Sequence, residues 1–198
     1  MTVQGRGAVR RAAGGVADGT FEAVTSPQGR MRPASRPRRR LADLAEAFAL
    51  GRADGESGDV TVTGVAVGSA DVQEGDLFVA LPGLRAHGAD FAADAVAAGA
   101  VAVLTDEAGA SRVGALGVPV LTSPRPRTIL GPVSAWLYGE PGRELTLVGI
   151  TGTNGKTTTC YFTAAALERV HPLTGVVGTV ELRVGEESIE SPRTTVEA

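Results

Sequence analysis

Lysine is almost missing from this chain. Of nineteen basic residues eighteen are arginine, and the one lysine is Lys156. Cysteine is as scarce: Cys160 stands alone, which excludes an internal disulfide framework. With only His87 and His171 beside it, little is left for a thiolate–imidazole zinc site. Aspartate and glutamate are available, so an oxygen-ligated Mg²⁺ site stays open. Aromatic residues make up only 4%. No run of about eighteen apolar residues occurs, so nothing reads as a membrane-spanning helix. What is present is 198 residues, 43% apolar and moderately charged. That suffices for a globular core, in one ordinary domain or two small ones.

The net charge of −3 hides two unlike pieces. Residues 1–40 hold nine arginines against two acids, whereas residues 41–198 hold ten basic residues against twenty acids. The head is rich in Arg, Gly, Ala and Pro without an apolar period, and it reads as a disordered basic tail. It lacks the apolar core of a secretory signal. Its composition resembles an organellar transit peptide, and equally the start of an arginine-rich protein from a GC-rich genome. Arg36 and Arg38–Arg40 form a cluster suited to an anionic surface. A solvated tail is the plainer reading, with neither nucleic acid nor membrane insertion expected. Met31 is an alternative start.

Residues 41–143 read as a small α/β domain. Leu41, Leu44, Ala45 and Phe48 recur at helical spacing, with Gly51 as a stop. Residues 60–67 alternate as a strand, and a turn at Gly75 and Asp76 leads into an apolar strand, Leu77–Leu81. An alanine-rich helix over 89–98 presents Phe91, Ala95 and Ala98 on one face and ends at Gly99. Residues 100–104 read as a buried strand, and 118–121 as an edge strand because of Pro119. Ile129, Leu130, Val133, Trp136 and Leu137 form a further helical face, where Pro132 fits only near the first turn. Strand–helix alternation of this kind argues an α/β sandwich, with the exit at Pro141 and Gly142.

The remaining residues, 144–198, open with an apolar strand, 145–150, running into Thr151–Thr159 and a helix over 157–169 that offers Phe162, Ala165, Ala166 and Leu167 to a core. A new strand begins at 173–177. Strand, glycine loop, Lys-Thr and helix are the context of a phosphate-binding loop. Gly152 and Gly155 leave main-chain N–H groups free to curl round phosphate oxygens. The helix start adds positive dipole there. Lys156 supplies a compact ammonium for the β- and γ-phosphates, and Thr157 a hydroxyl for Mg²⁺. The strict pattern wants glycine at 150, where Ile150 stands, so the match is imperfect. The lone lysine supports the reading, because arginine's planar fork does not replace a point charge among phosphates.

With these stretches in hand the chain resembles the Mur ligases, specifically the MurE type. The resemblance covers about residues 60–198. It is carried by Thr63–Val65 through Gly75–Gly83, by Ala95–Leu104, by Gly149–Thr159, and by Gly178–Val180 with Thr194–Ala198. It implies an N-terminal α/β domain holding the uridine diphosphate end of a UDP-N-acetylmuramoyl dipeptide. The start of a P-loop (Rossmann-like) central ATPase domain follows. It also implies ATP and Mg²⁺, a second amino-acid substrate, a cytoplasmic setting and a monomer. The reaction implied adds the third stem-peptide residue, meso-diaminopimelate by preference, to UDP-N-acetylmuramoyl-L-alanyl-D-glutamate through an acyl phosphate.

Carried over by position, Gly152, Thr153, Asn154, Gly155, Lys156, Thr157 and Thr158 make the ATP loop, with Lys156 catalytic and Thr157 on the metal. Val67, Ser69, Leu84, Arg85, Ala86, Arg193, Thr194 and Thr195 fall at substrate positions. The sequence departs from the family in places. A common Asp-Ser-Arg reads Gly68-Ser69-Ala70, so the serine stays and both charges go. Val196 stands for a usual proline. The resemblance stops at Ala198 where the family continues, so the chain is expected to be a fragment inactive alone. Two alternatives stay open: a non-catalytic module binding the UDP-muramyl peptide, and another Mur-type ligase such as MurF or a folylpolyglutamate synthetase.

Overall fold

The computed structural model describes residues 23–25, 31–33, 35–54, 59–171 and 173–190. In chain order the first strands are β1 (Ala23–Thr25), β2 (Met31–Pro33) and β3 (Arg39–Arg40), followed by α1 (Leu41–Ala47) and β4 (Gly51–Asp54). Next come β5 (Thr61–Val62), β6 (Gly64–Ala66), β7 (Asp76–Val79) and α2 (Ala92–Ala97). Then follow β8 (Ala102–Thr105), α3 (Glu107–Val113), β9 (Val120–Thr122) and α4 (Pro126–Leu137). The last elements are α5 (Lys156–Leu167), β10 (Gly175–Val177), β11 (Glu181–Val184) and β12 (Glu187–Glu190).

A five-stranded sheet in the order β4-β9-β8-β7-β6 forms the first domain. Strands β6 to β9 pair in parallel, and β4 adds antiparallel to β9. Strands β7, β8 and β9 are buried along their whole length, as their continuous apolar runs require, whereas β4 is exposed. On one face Leu41 and Leu44 of α1 and Leu130, Val133 and Leu137 of α4 pack on Leu77, Val79, Leu104 and Leu121. On the other, Ala89, Ala92, Ala95 and Val113 pack on Ala66, Phe78, Val103 and Val120. The result is the expected α/β sandwich.

Local details differ from the sequence reading. Helix α1 is ended by Ala49, at φ +48°, and Gly51 instead opens β4. The 60–67 run breaks at Thr63, whose N–H bonds the Gly75 carbonyl: β5 pairs with β3 and β6 with β7. The buried face of the 89–98 helix is Ala89, Ala92 and Ala95, and Phe91 lies 45% exposed. Gly99 ends the helix at φ +112° as expected. Strand β9 is not an edge, since β4 covers it; Pro119 lies just outside, where its carbonyl accepts the Val103 N–H. Pro132 lies inside α4 with its ring toward solvent, and Pro126 occupies the first turn.

The tail boundary at residue 40 also differs. Residues 1–22 lie outside the described residues, but 31–33 and 35–40 belong to the first domain. β3 pairs with β5, and Arg39 lies over the Trp136 ring at 5.3 Å. Arg32 makes an ion pair at 2.8 Å with Asp76, a residue with no exposed surface. Asp76 reads as a turn residue in sequence; it is the first residue of β7.

Candidate functional site

The C-terminal ends of parallel strands leave carbonyls and loops open at one edge, which is where open α/β sheets take ligands. β6 runs out into Val67, Gly68 and a 3-10 turn, Ser69–Asp71. Val67 is half-buried against the α1/α4 face of the core, and Ser69 is half-buried. β7 runs out through buried Ala80 and Leu81 into a loop closed by a bridge between Pro82 and His87. Inside it the Gly83 N–H donates to the Ala86 carbonyl at 3.2 Å, and Leu84, Arg85 and Ala86 are exposed. Because β6 and β7 are parallel neighbours, with Ala66 opposite Phe78, both loops leave the same edge. The fold thus brings Val67, Ser69 and residues 84–86 to one side of the sheet.

Sequence reasoning missed what stiffens this edge. His87 Nδ1 accepts the Ala89 N–H at 3.1 Å, which leaves Nε2 as the protonated nitrogen facing Asp106 Oδ1 at 3.1 Å. The same Asp106 oxygen accepts the Gly109 N–H at 2.7 Å and caps α3. Thr105 Oγ1 donates to the Ala80 carbonyl at 2.8 Å, tying the ends of β8 and β7 together. A Cβ on Gly109 would stand 2.0 Å from Thr105 Oγ1, so only glycine lets α3 approach. Helix α3 was legible in principle from Asp106 followed by Glu107, an N-cap signature.

The candidate phosphate loop spans residues 151–158. Its expected leading strand, 145–150, does not form, and Leu145 and Leu147 are exposed. A strand needs a neighbour, and 173–177 does not supply it. That segment turns into the antiparallel sheet β10-β11-β12. Gly155 takes φ +75° as the residue preceding α5, a conformation glycine adopts without strain. Helix α5 starts at Lys156, one residue before the reading from sequence. No side chain caps it and no acid sits in its first turn. Lys156 Nζ arches back over the loop to the Gly152 carbonyl at 2.6 Å. Gly152 to Thr158 are all exposed. Open N–H groups, a helix start and an exposed ammonium form a donor set that suits a polyphosphate.

The donor set fits a metal less completely. The Thr157 hydroxyl offers one oxygen, and among the described residues no group of three His, Cys, Asp or Glu side chains is placed to hold an ion. Phosphate oxygens would complete the sphere. Arg193, Thr194 and Thr195 lie outside the described residues.

Helix α5 buries Ala164, not Phe162, Ala165 and Ala166; Phe162 is 74% exposed. Its inner face meets the small sheet, where Tyr161 Oη donates to Glu181 Oε1 at 2.9 Å and Arg183 pairs with Glu168 at 2.8 Å.

Residues 61–134 match the model described as Mur ligase family, catalytic domain, and residues 150–198 match Mur ligase middle domain. Over 158 residues the chain is 49% identical to the UDP-N-acetylmuramoyl-L-alanyl-D-glutamate–2,6-diaminopimelate ligase of Streptomyces coelicolor, covering 80% of this chain and 30% of that protein. It is 45% identical over 166 residues to the UDP-N-acetylmuramyl-tripeptide synthetase of Leifsonia xyli, covering 84% and 32%. The fold is similar to that of MurF from Acinetobacter baumannii, with TM-score 0.56 at 23% identity over 68% of this chain and 28% of that one. A solved UDP-N-acetylmuramoyl-L-alanyl-D-glutamate–2,6-diaminopimelate ligase matches with TM-score 0.50 at 26% identity, over 72% and 28%. Two adjacent domains of one family, in order, show that the chain belongs to the Mur ligase family. It spans about a third of the length of the curated relatives it matches.

Proposed function

We propose that this chain is the nucleotide-handling N-terminal part of a ligase of peptidoglycan precursor synthesis. The reaction joins an amino acid, diaminopimelate by analogy with the Streptomyces coelicolor relative, to UDP-N-acetylmuramoyl-L-alanyl-D-glutamate. The observation that carries the reading is the uncapped start of α5, with the only lysine of the sequence folded over its glycine loop.

ATP, when bound with Mg²⁺, supplies the phosphoryl group that activates the substrate carboxylate. The chain's own residues do the rest of this half of the work. Main-chain N–H groups of 152–158 hold phosphate oxygens at fixed positions, so little reorganisation is needed as charge builds. The Lys156 ammonium leaves its carbonyl partners and neutralises the transferring phosphate. The Thr157 hydroxyl would offer one oxygen ligand to Mg²⁺. At the other site, Val67 and residues 84–86 offer apolar and main-chain surface to the uridine, and Ser69 offers a hydroxyl to its diphosphate. The substrate's remote nucleotide is thereby anchored on the first domain while its carboxylate reaches the loop. A reaction that uses ATP and a UDP-linked substrate suits a cytoplasmic setting. No helix among the described residues is long and apolar enough to cross a membrane.

In a full-length ligase carrying this segment, Lys156→Ala is expected to lower turnover by about 10²–10³ or more, as for loss of a charge-stabilising donor. Circular dichroism should be unchanged, since Lys156 is exposed and bonds only its own loop. Near wild-type turnover in that variant would remove the loop from the reaction.

A further inference from the structure

An acidic loop and a basic strap meet at the mouth of β6. The loop, residues 68–76, carries Asp71, Glu74 and Asp76 and no basic residue, and it presents Ser69. Arg32 and Arg36, from the segment read as tail, both dock on it. Arg32 grips Asp76 with both arms of its fork, at 2.9 and 2.8 Å, and the second arm also donates to the Asp71 carbonyl at 3.0 Å. Asp76 Oδ2 in turn accepts the Gln73 N–H at 2.9 Å. Arg36 donates to the Glu74 carbonyl at 3.2 Å and to the Gln73 side-chain oxygen. The turn Ser69–Asp71 is therefore held at its last residue and along the stretch that follows it.

The chemistry of the pair makes the two segments one unit. Asp76 has no exposed surface, and the Arg32 side chain is 14% exposed. A buried carboxylate without its guanidinium is strongly disfavoured, so the strap and the loop order together. Bidentate arginine–carboxylate pairing also fixes direction, which a point charge does not. Burial works against the Arg32 charge, but hydrogen bonding and attraction to Asp76 outweigh it and hold its pKa above the ordinary value.

We propose that Arg32 and Arg36 are positioning residues for substrate: the strap presets the Ser69 turn in the shape that receives the nucleoside-diphosphate end. The inference rests on the placing of that end at Ser69 proposed above. A turn ordered before binding spares the ligand that ordering cost, and loosening it weakens affinity without removing a direct contact.

The test titrates the 198-residue chain with UDP-N-acetylmuramoyl-L-alanyl-D-glutamate by calorimetry, with thermal melts and a parallel Mg·ATP titration. Arg36→Ala, at an exposed position, should raise the Kd about threefold with an unchanged melt, the size expected of lost surface hydrogen bonds. Arg32→Lys keeps the charge and loses the fork, and should raise it about tenfold. Mg·ATP affinity should not move in either. Should the unaltered chain fail to bind the UDP ligand, the functional reading of this edge falls, and the inference with it. Should the unaltered chain bind while both variants bind equally well, the strap is only a cover for β6 and the inference is overturned. If Arg32→Lys does not fold, Arg36→Ala decides alone.

Discussion

Tyr138 shows how one side chain reports on a whole corner of the domain. Burial pushes its phenol above the ordinary tyrosine value near 10; the Arg32 charge pulls it down and the Asp76 charge pushes it up. Hydrogen bonding to the Arg32 side chain and the Val65 backbone also pulls it down, without reversing the shift. A folded state with a raised pKa keeps a proton that the unfolded chain releases. The associated stability is complete below about pH 10 and is lost as pH climbs through the folded value. Thermal melts between about pH 8 and 11 should therefore fall steeply at the alkaline end, and Tyr138→Phe should flatten that fall. Equal alkaline slopes for both proteins would place Tyr138 outside the buried cluster. Asp76 makes a complementary prediction. Asp76→Ala leaves the Arg32 guanidinium without its partner and should cost about 3–5 kcal/mol in urea unfolding. Residue chemistry of this kind was half-legible in the sequence. Lys156 stands out because arginine has displaced lysine everywhere else. Asp76 does not, because its partner lies 44 residues upstream and a Gly-Asp pair reads locally as a turn.

Among the elements, the parallel strands were the most legible, since burial on both faces demands continuous apolar runs such as 77–81 and 100–104. β4 was not, because Gly51–Asp54 has no strand character and exists only by pairing with β9. That missing element is also why β9 reads as an edge. Helix ends divide in the same way. Gly99 was readable as a stop because only glycine suits its turn. At φ +112°, with the Glu74 Cα 2.8 Å from where a Cβ would sit, Gly99→Ala combines backbone strain with a clash. It should cost about 1–3 kcal/mol, read as a lowered urea midpoint with an unchanged slope. Ala49, which ends α1 at positive φ, carries no such signal. The 145–150 strand failed for a different reason. Its apolar pattern is clear, but a strand takes its state from a neighbour, and none is present among the described residues.

At the scale of the molecule the two family segments are unequally finished. The first domain closes two cores around its sheet. Residues 145–190 bury little and leave Leu147, Phe162, Val170 and Val177 largely exposed. Exposed apolar surface contributes nothing to stability, so the first domain should carry the cooperative unfolding alone. A chain cut after residue 143 is expected to melt within about 2 °C of the full chain, and a drop much beyond that would show that the later residues brace the sheet. Hydrogen exchange of the full chain should protect β6 to β9 and leave residues 145–150 open.

In the proposed reading one chain holds two nucleotide sites, a UDP site at the edge of its first sheet and a phosphate loop at the start of α5. The direct measurement is a backbone amide NMR titration of the labelled chain with UDP-N-acetylmuramoyl-L-alanyl-D-glutamate and, separately, with Mg·ATP. The first ligand should saturate with shifts centred on Val67, Ser69 and Leu84–Ala86, and the second with shifts centred on Gly152–Thr158. Absence of shifts at 67–69 and 84–86 with the UDP ligand, or saturation centred elsewhere on the fold, would contradict the account.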